Sequence, residues 1–323
     1  MFCFSPIKIF ISVKGVSVKV EKVATVEQRR SGKVNWWTVV PIGVFHILAI
    51  WALFTFSWTN LAVAAALWWV AGSLGIGLSF HRQLTHRGFD TPRWLKHFLA
   101  VCGSMALQGS PKDWVTTHRI HHAFCETDKD PHSPRHGTYW SHIGWVTVGT
   151  SQGNPEEVER RFIPDLLKDK FIVALSKYWY VPTITVGVIL ALTGGWSMVL
   201  WGVFLPTVFG WHFTWFVNSI THIWGSRRFE TRDDSTNNGL VAALSFGEGW
   251  HNNHHAHPTS VRHGLTWYEF DLNWLQIKAL EKLGLAWNLK EFNLKEYEAK
   301  KASPVESFEP AAVPTEKGLQ QAA

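Results

Sequence analysis

Two long stretches of this 323-residue chain contain no charged side chain. From residue 35 to 80, and again from 178 to 226, there is no Asp, Glu, Lys or Arg. A helix that crosses a bilayer needs roughly 20 apolar residues, so each stretch has room for two crossings and a short turn. This pattern argues against an ordinary soluble protein, although the mean hydropathy of the whole chain is close to zero.

Cysteine is also scarce. The chain has three, Cys3, Cys102 and Cys125, and none of them forms a C-x-x-C pair. An odd number without paired spacing argues against a disulfide scaffold, and it predicts either a reducing compartment or inert thiols.

The uncharged stretches predict four membrane spans that form two hairpins. The predicted spans are residues 37–56, 61–80, 178–194 and 197–220. Uncharged turn formers separate the two members of each pair, at residues 57–60 and 193–196. Several of the 20 tryptophans lie near these boundaries, as is typical of residues at a membrane interface.

Basic residues indicate how the spans are oriented. Arg30 and Lys33 precede the first span, and Arg227 and Arg228 follow the last. The positive-inside rule then places both termini and the long middle segment in the cytoplasm. We expect residues 1–34 to be a mobile cytoplasmic arm, residues 35–297 the membrane domain, and residues 298–323 a disordered tail.

Nine of the 17 histidines fall into four short groups, each near the cytoplasmic end of a predicted span. The groups are His81 and His86; His118, His121 and His122; His222; and His251, His254 and His255. Neutral imidazole is a ligand that suits iron, copper and zinc, and nine rings are more than one ion can use. The sequence therefore predicts two metal ions that lie close together.

The spacing within the groups predicts how the rings are presented. In HRIHH and HNNHH the histidines lie at i, i+3 and i+4 on one helix face, so each motif is expected to form a claw of three nitrogens. His81 and His86 are five residues apart, which on an α-helix turns the rings about 140° from each other. We therefore expect His86 to lie beyond the helix end, near Gly88. Asn218 lies four residues before His222, so its amide can reach the same centre directly or through a water.

Each group taken alone could be an exposed polar face or a buried structural pair, whereas four groups in one chain favour a metal site. A structural role is expected for the eight histidines that lack ligand-like grouping, which are His46, His97, His132, His136, His142, His212, His257 and His263. Metal-bound imidazoles need acceptors to orient them, usually carboxylates. The carboxylates close in sequence are Asp113, Glu126, Asp128, Asp130, Glu230, Asp233 and Glu248, each of which could instead be a solvated loop residue.

In this order, HRQLTH, HRIHH, NSITHIWG and HNNHH resemble the histidine boxes of the membrane fatty acyl desaturases. The downstream run RHGLTWYEFDLNWLQIKALEKLGL resembles the bacterial, cyanobacterial and plant branch, which includes acyl-CoA and acyl-lipid delta-9 desaturases. The resemblance extends over residues 36–289. It implies an all-α integral membrane fold, with four spans in two hairpins and a helical cytosolic cap that holds a histidine-ligated di-metal site.

The resemblance also implies a specific set of site residues. Two ferrous ions would be bound by the nine grouped histidines and by a water that Asn218 holds. Gln108, Trp114 and Thr214 match the bend of the family's acyl tunnel. The alternatives are ordinary interfacial roles for Gln108 and Trp114, and a hydroxyl that bonds back to its own helix for Thr214.

The reaction implied is the O2-dependent desaturation of a saturated fatty acyl chain at carbon 9, carried as a CoA thioester or a lipid ester. The chain has no HPGG-type cytochrome b5 segment, so electrons would come from a separate ferredoxin or cytochrome b5 type donor. Residues 150–171 differ from the nucleotide-binding loop of the animal acyl-CoA enzymes, and His257 stands where relatives have an apolar residue. The net charge of +6 suits membrane lipids or an anionic carrier, and no nucleic-acid partner is expected.

Other metal proteins fit less well. A ferritin-like di-iron enzyme needs paired Glu-x-x-His motifs, and here only Glu248 and His251 have that spacing. A zinc hydrolase uses three or four ligands. The remaining alternatives are a related membrane di-iron hydroxylase or ketolase, and a non-enzymatic metal transporter or haem-binding protein, whose histidines should lie at mid-bilayer.

Overall fold

The computed structural model describes residues 23–149 and 153–302, and within these ranges the chain is helical, with isolated bridges but no β-strand. The α-helices are α1 (Val26–Arg30), α2 (Trp36–Ala52), α3 (Trp58–Trp68), α4 (Arg93–Ser104), α5 (Pro111–Phe124), α6 (Trp145–Thr147), α7 (Glu156–Phe162), α8 (Lys170–Lys177), α9 (Val181–Val199), α10 (Leu205–Ser219), α11 (Gly239–Leu244), α12 (His251–Ala256), α13 (Leu272–Lys282) and α14 (Leu294–Ala302). Turns of 3₁₀-helix cover Leu53–Thr55, Pro134–His136, Leu166–Lys168 and Ile220–His222, and π-helix covers Trp69–Thr85, Trp140–Gly144 and Leu200–Phe204. The prediction of an all-helical fold is confirmed for this part of the chain.

Three helical segments are long and apolar enough to cross a membrane: Trp36–Thr55, Trp58–Thr85 and Val181–His222. The first exposes large apolar side chains, including Trp37 with 93% of its surface accessible and Ile47 with 67%. The third has 42 residues, and its helical dihedrals are interrupted at Gly195, where φ is 69° and ψ is −168°. This break lies within the turn predicted between the third and fourth spans.

The first predicted turn is shorter than expected, because α3 begins at Trp58. Ser57 caps α3 by accepting a hydrogen bond from the backbone N–H of Asn60 at 3.0 Å. The Asn60 side chain donates to the carbonyl of Thr55 at 2.9 Å and to Oγ of Ser197 at 2.6 Å. Ser197 follows the break at Gly195, so the two turn regions lie against each other.

Glycines let the π-helical segment Trp69–Thr85 lie close to its neighbours. A Cβ atom on Gly75 would come within 2.5 Å of the backbone of Cys102 and Gly103, so α4 packs here backbone to backbone. A Cβ atom on Gly77 would come within 2.1 Å of Nδ2 of Asn273. The segment therefore lies directly between α4 and α13.

Asp169 ties α8 to α4. Its carboxylate caps α8 by accepting from the backbone N–H of Phe171 at 3.1 Å, and it accepts from Nζ of Lys96 at 2.5 Å and from Nε2 of His97 at 3.1 Å. Burial raises the pKa of Asp169, but the hydrogen bonds from Lys96 and His97 outweigh it and lower the pKa to about 2.

The predicted arm and tail contain ordered residues. The backbone N–H of Val26 donates to the carbonyl of Asp128 at 2.6 Å, and Val34 pairs with Val148. Residues 23–34 are thus packed on the domain, and residues 1–22 of the predicted arm lie outside the described part of the chain. Helix α14 extends to Ala302, so residues 298–302 are helical where a tail was expected. Residues 303–323 lie outside the described part.

Candidate metal centre

All nine histidines that the sequence grouped lie together in two adjacent clusters. The five-ring cluster consists of His81, His86, His118, His122 and His254. The four-ring cluster consists of His121, His222, His251 and His255. Within each cluster the ligand atoms lie within 4.8 Å of one another, and the rings of His122 and His255 bring the clusters together at 4.6 Å.

The two helical motifs do not act as single claws, and this expectation was wrong. In α5, His118 and His122 join the five-ring cluster, while His121 joins the four-ring cluster. In α12, His251 and His255 belong to the four-ring cluster, while His254 belongs to the five-ring cluster. Each motif therefore gives an i, i+4 pair to one cluster and its remaining ring to the other. The motifs bridge the two clusters.

His81 and His86 come together because the helix between them is π-helical. His86 follows the last helical residue, Thr85, as expected, and its backbone N–H bonds to the carbonyl of His81 five residues earlier. This i→i+5 bond places residues five apart next to each other, so the rings meet at 4.9 Å. The wide angle that an α-helix would impose is avoided.

Four of the seven nearby carboxylates accept hydrogen bonds from ring Nδ1–H groups of the clusters. Glu248 accepts from His81 at 2.5 Å, Asp130 from His121 at 3.0 Å, Glu126 from His222 at 2.8 Å and Asp233 from His255 at 2.9 Å. The other three do not touch ring nitrogens of the clusters: Asp113 bonds Ser110, and Asp128 and Glu230 are exposed.

These carboxylates determine which nitrogen of each ring faces its cluster. Because Nδ1 of His81 and of His222 donates to a carboxylate, the Nε2 atom of each neutral ring carries a lone pair. The Nε2 atom of His81 lies 3.1 Å from that of His254, and the Nε2 atom of His222 lies 3.0 Å from that of His251. Nitrogens bound to one ion at about 2.1 Å lie about 3.0–3.4 Å apart, so the donor sets fit metal ions.

Burial keeps most of these rings neutral, which is the form that binds metals. It lowers the pKa of the rings outside the long apolar segments, namely His86, His118, His122, His251, His254 and His255. His121 differs, because Asp130 outweighs burial and raises its pKa. Burial also raises the pKa of the Cys125 thiol, whose Sγ lies 3.7 Å from Nε2 of His121, so an inert thiol is expected there.

A buried ionic network that sequence reasoning missed supports Glu248. The guanidinium of Arg82, 1% exposed, lies 2.9 Å from Glu248 and 3.0 Å from Asp271. Burial alone would raise the pKa of Glu248, but Arg82 and His81 hold it well below its usual range. Asn273 donates to Glu248 at 2.6 Å, and His263 Nδ1 lies 3.3 Å from it. No local sequence signal links Arg82 to Glu248, Asp271 and Asn273, which follow it by 166 to 191 positions in the numbering.

The three residues assigned to the acyl tunnel are joined by hydrogen bonds beside the clusters. Trp114 Nε1–H donates to Oε1 of Gln108 at 3.2 Å, and Nε2 of Gln108 donates to Oγ1 of Thr214 at 2.8 Å. All three line one cavity of about 330 Å³, together with His118 and Asn218. The remainder of its wall is mostly aromatic and apolar, and it includes Trp37, Ile42, Phe45, Trp145, Trp179, Trp211 and Trp215.

Two ungrouped histidines also lie at the centre. His132, 3% exposed, lines the cavity with its ring 4.4 Å from that of His121. His263, 1% exposed, lies 4.5 Å from the ring of His254. Both were expected to be structural, and their isolation in sequence gave no signal of this location. His257 lies away from the clusters, stacked on Phe292 at 3.5 Å.

Comparison with known proteins agrees with this geometry. The fatty acid desaturase family model matches residues 56–289. The chain belongs to the fatty acid desaturase family. The desaturase is 46% identical over 269 residues to the sn-1 stearoyl-lipid 9-desaturase of Anabaena variabilis, covering 82% of this chain and 97% of that protein.

Two plant relatives are named for double bonds at other positions of the acyl chain. The desaturase is 42% identical to the chloroplastic palmitoyl-monogalactosyldiacylglycerol delta-7 desaturase of Arabidopsis thaliana, over 81% of this chain and 73% of that protein. It is 44% identical to the icosanoyl-CoA 5-desaturase of Limnanthes douglasii, over 78% of this chain and 71% of that protein. The chain is thus an oxidoreductase of fatty acyl chains, as its histidine boxes predicted.

Proposed function

We propose that this desaturase uses two iron ions and dioxygen to introduce a double bond at carbon 9 of a saturated fatty acyl chain. The observation that carries the proposal is the gathering of nine histidines into clusters of five and four beside an apolar cavity. The 46% identity to a stearoyl-lipid 9-desaturase supports the choice of carbon 9.

Each cluster would hold one iron ion. The five-ring cluster offers His81, His86, His118, His122 and His254, and the four-ring cluster offers His121, His222, His251 and His255. The cluster with fewer rings has room for one more ligand. Asn218 precedes His222 by one helical turn and lines the cavity, so its amide would hold a water at that position.

When bound, the two irons would activate dioxygen, the oxidant needed to remove hydrogens from an unactivated methylene pair, a step that no side chain can carry out. The protein's own groups hold the rings in place. Asp130, Glu126, Asp233 and Glu248 accept the Nδ1–H groups and so keep the Nε2 lone pairs aimed inward. The mostly aromatic and apolar cavity walls would limit the access of water to the reacting carbons.

The acyl chain would occupy the cavity, with Gln108, Trp114 and Thr214 at its bend. Their hydrogen bonds fix three side chains from different parts of the fold against one another. A chain held at this point would present one carbon pair to His118 and Asn218, which line the same cavity. Regiochemistry is then set by the distance from the carrier to the bend, with the carrier a CoA thioester or a lipid ester.

We further propose four spans in two hairpins, with the metal centre and both termini on the cytoplasmic side. The break at Gly195 within a 42-residue apolar segment supports two crossings there rather than one. The contact between Asn60 and Ser197 supports turns on the same side of the membrane. Electrons would come from a separate donor of the ferredoxin or cytochrome b5 type.

The experiment is fatty acid profiling of a host that lacks its own desaturase and expresses this chain with a ferredoxin. Gas chromatography with location of the double bond is expected to find a new monoene at carbon 9. The matched controls are His254→Ala, which removes a ring of the five-ring cluster, and His136→Ala, which removes a ring outside both clusters. Only the first is expected to abolish the product.

Three results would contradict the proposal. A hydroxylated or keto product would support the related hydroxylase reaction instead. A monoene at carbon 7 or 5 would leave desaturation standing but refute carbon 9. Retained product in His254→Ala would refute its role as a ligand.

A further inference from the structure

Three histidines outside the metal centre form a continuous row of hydrogen bonds. His46 lies on α2, His212 on α10, and His142 in the π-helical turn before α6. Nε2 of His46 is 3.0 Å from Nε2 of His212, and Nδ1 of His212 is 3.0 Å from Nε2 of His142. At the ends, Nδ1 of His46 is 2.7 Å from the carbonyl of Ile42, and Nδ1 of His142 is 3.2 Å from Oγ of Ser219. This row is the imidazole chain.

The geometry of the imidazole chain does not suit a shared metal ion. An ion bound by three rings needs one nitrogen of each to point at a single place. His212 instead directs Nε2 at His46 and Nδ1 at His142, on two different sides of its ring. The rings therefore interact pairwise through hydrogen bonds.

With neutral rings, only one arrangement of protons satisfies the contacts of the three histidines with one another and with Ile42. The carbonyl of Ile42 can only accept, so His46 carries its proton on Nδ1 and accepts at Nε2 from His212. His212 then accepts at Nδ1 from Nε2–H of His142. Nδ1 of His142 is then left with a lone pair. Burial lowers the pKa of His142, which favours the neutral ring that this arrangement requires.

Ser219 ends the row on α10. Its hydroxyl donates to the carbonyl of Trp215 in the preceding helical turn at 2.7 Å, and its Oγ lies 3.2 Å from Nδ1 of His142. The proton arrangement of the three rings needs no positive charge, which would be costly between apolar helices.

The imidazole chain packs against the face of α10 that lies next to the substrate cavity. The ring of His142 packs 5.7 Å from Trp215 and 5.0 Å from Phe216, and it contacts His212 and Ser219, which lie on the same face. Trp215 also lines the cavity, so the face of α10 that contacts the imidazole chain adjoins the face that lines the cavity.

The cavity face of α10 carries Thr214 and Asn218. A rotation of α10 by about 20° would move an atom about 5 Å from the helix axis by about 1.7 Å, close to one carbon–carbon bond length.

We propose that the imidazole chain is a positioning device that fixes the rotation of α10, and thereby the place where Thr214 meets the acyl chain. His46, His142 and His212 are positioning residues, because they act through α10 and do not line the cavity. This inference rests on the proposed function, since the acyl chain is what would sense the rotation.

The first test compares two replacements of His212. His212→Phe removes both of its hydrogen bonds, whereas His212→Gln keeps one donor and one acceptor on a flat group. We expect His212→Phe to raise severalfold the fraction of product whose double bond is displaced by one carbon, and His212→Gln to restore most of the wild-type distribution. His136→Phe, outside the row, is the control. Iron content should match wild type in all three variants.

Two outcomes of this test overturn the positioning role. One is a wild-type distribution of double bonds in His212→Phe. The other is a His212→Gln variant that behaves like His212→Phe, since the hydrogen bonds would then not matter.

The second test does not depend on activity. Thermal midpoints are measured in one detergent for His46→Phe, His212→Phe and the double variant. The row predicts that the double variant loses clearly less than the sum of the two single losses, because either change breaks the same contact. Additive losses would overturn the row. If the wild type forms no unsaturated product, the proposed function fails while this measurement still decides whether the imidazole chain exists.

Discussion

Gly77→Ala is expected to destabilise the metal centre from a distance, through one side chain. The added Cβ would lie 2.1 Å from Nδ2 and 2.7 Å from Cγ of Asn273, which is fully buried. Asn273 cannot simply withdraw, because its amide is held at both ends. Nδ2 donates to Glu248 at 2.6 Å, and Oδ1 accepts from Ser73 at 2.6 Å. Relief of the clash therefore lengthens both hydrogen bonds beyond useful range.

The cost can be worked out from these contacts. Losing a hydrogen bond to a charged carboxylate costs about 1.5–3 kcal/mol, and losing a neutral one about 0.5–1.5 kcal/mol. Overpacking adds about 1–3 kcal/mol, and the better helix propensity of alanine returns about 1 kcal/mol. The net expectation is a loss of about 4 kcal/mol, with weaker metal binding because Glu248 orients His81.

The assay is the thermal unfolding midpoint in detergent, together with the metal content per chain. Gly43→Ala is the matched control, because Gly43 lies on α2 and, apart from its own helix backbone, no atom of the described residues lies within 4 Å of the added Cβ. Gly43→Ala should leave the midpoint unchanged or raise it. Equal midpoints and equal metal contents for the two variants would refute the proposed contact between the π-helical segment and Asn273.

Three further predictions concern Asp233, Thr214 and Asp169. Asp233→Asn should weaken metal binding by about 10–100-fold, measured by competition with a chelator, because Asp233 accepts from Nδ1 of His255. Glu230→Gln, which alters an exposed carboxylate, should not weaken it. Equal metal affinities of the two variants would contradict the role of Asp233. Thr214→Ala should lower the rate severalfold and shift the double bond, and Thr214→Ser should restore both; unchanged products would remove Thr214 from the bend. The pKa of Asp169 in the folded protein, about 2, lies below the usual value of about 3.9. The ionised carboxylate therefore stabilises the fold by about 1 kcal/mol above about pH 4, and this contribution is lost as the pH falls toward 2. Asp169→Asn should therefore lower the thermal midpoint at pH 6 and less so at pH 3, and a constant difference would contradict the assignment.

Local spacing predicted which histidines come together in space, but it did not predict how the two clusters divide them. The i, i+3, i+4 pattern indicated one face of α5 and one of α12, and all six rings do face the centre. The division of each motif between two clusters depends on how the two helices approach each other. That approach is a tertiary property, and the spacing of residues along one helix does not contain it.

The meeting of His81 and His86 depends on π-helical winding. Apolar residues spaced for an α-helix and for a π-helix look alike over a few turns, so the sequence predicted an ordinary helix that ended before His86. The helix does end before His86, at Thr85, but its last turns are wound with i→i+5 hydrogen bonds. Close packing at Gly75 and Gly77 accompanies this winding, and the residues that fill those spaces come from α4 and α13.

The groups that hydrogen-bond to the histidines of the two clusters were only partly predictable from the sequence. Asp130 and Glu126 follow HRIHH closely, so proximity in sequence suggested them. Arg82 and Asp271 are far apart in the chain and come together only when α13 packs on the π-helical segment. The imidazole chain was missed for a similar reason, because each of its histidines is isolated in the sequence.

The presence of two metal sites can be tested by counting the irons bound per purified chain, for the wild type and for two double variants. We expect two irons in the wild type. We expect one iron in His118→Ala/His122→Ala, which disables the five-ring cluster, and one in His251→Ala/His255→Ala, which disables the four-ring cluster. A wild type with a single iron, or two double variants that each keep both irons, would contradict a centre built from two histidine clusters.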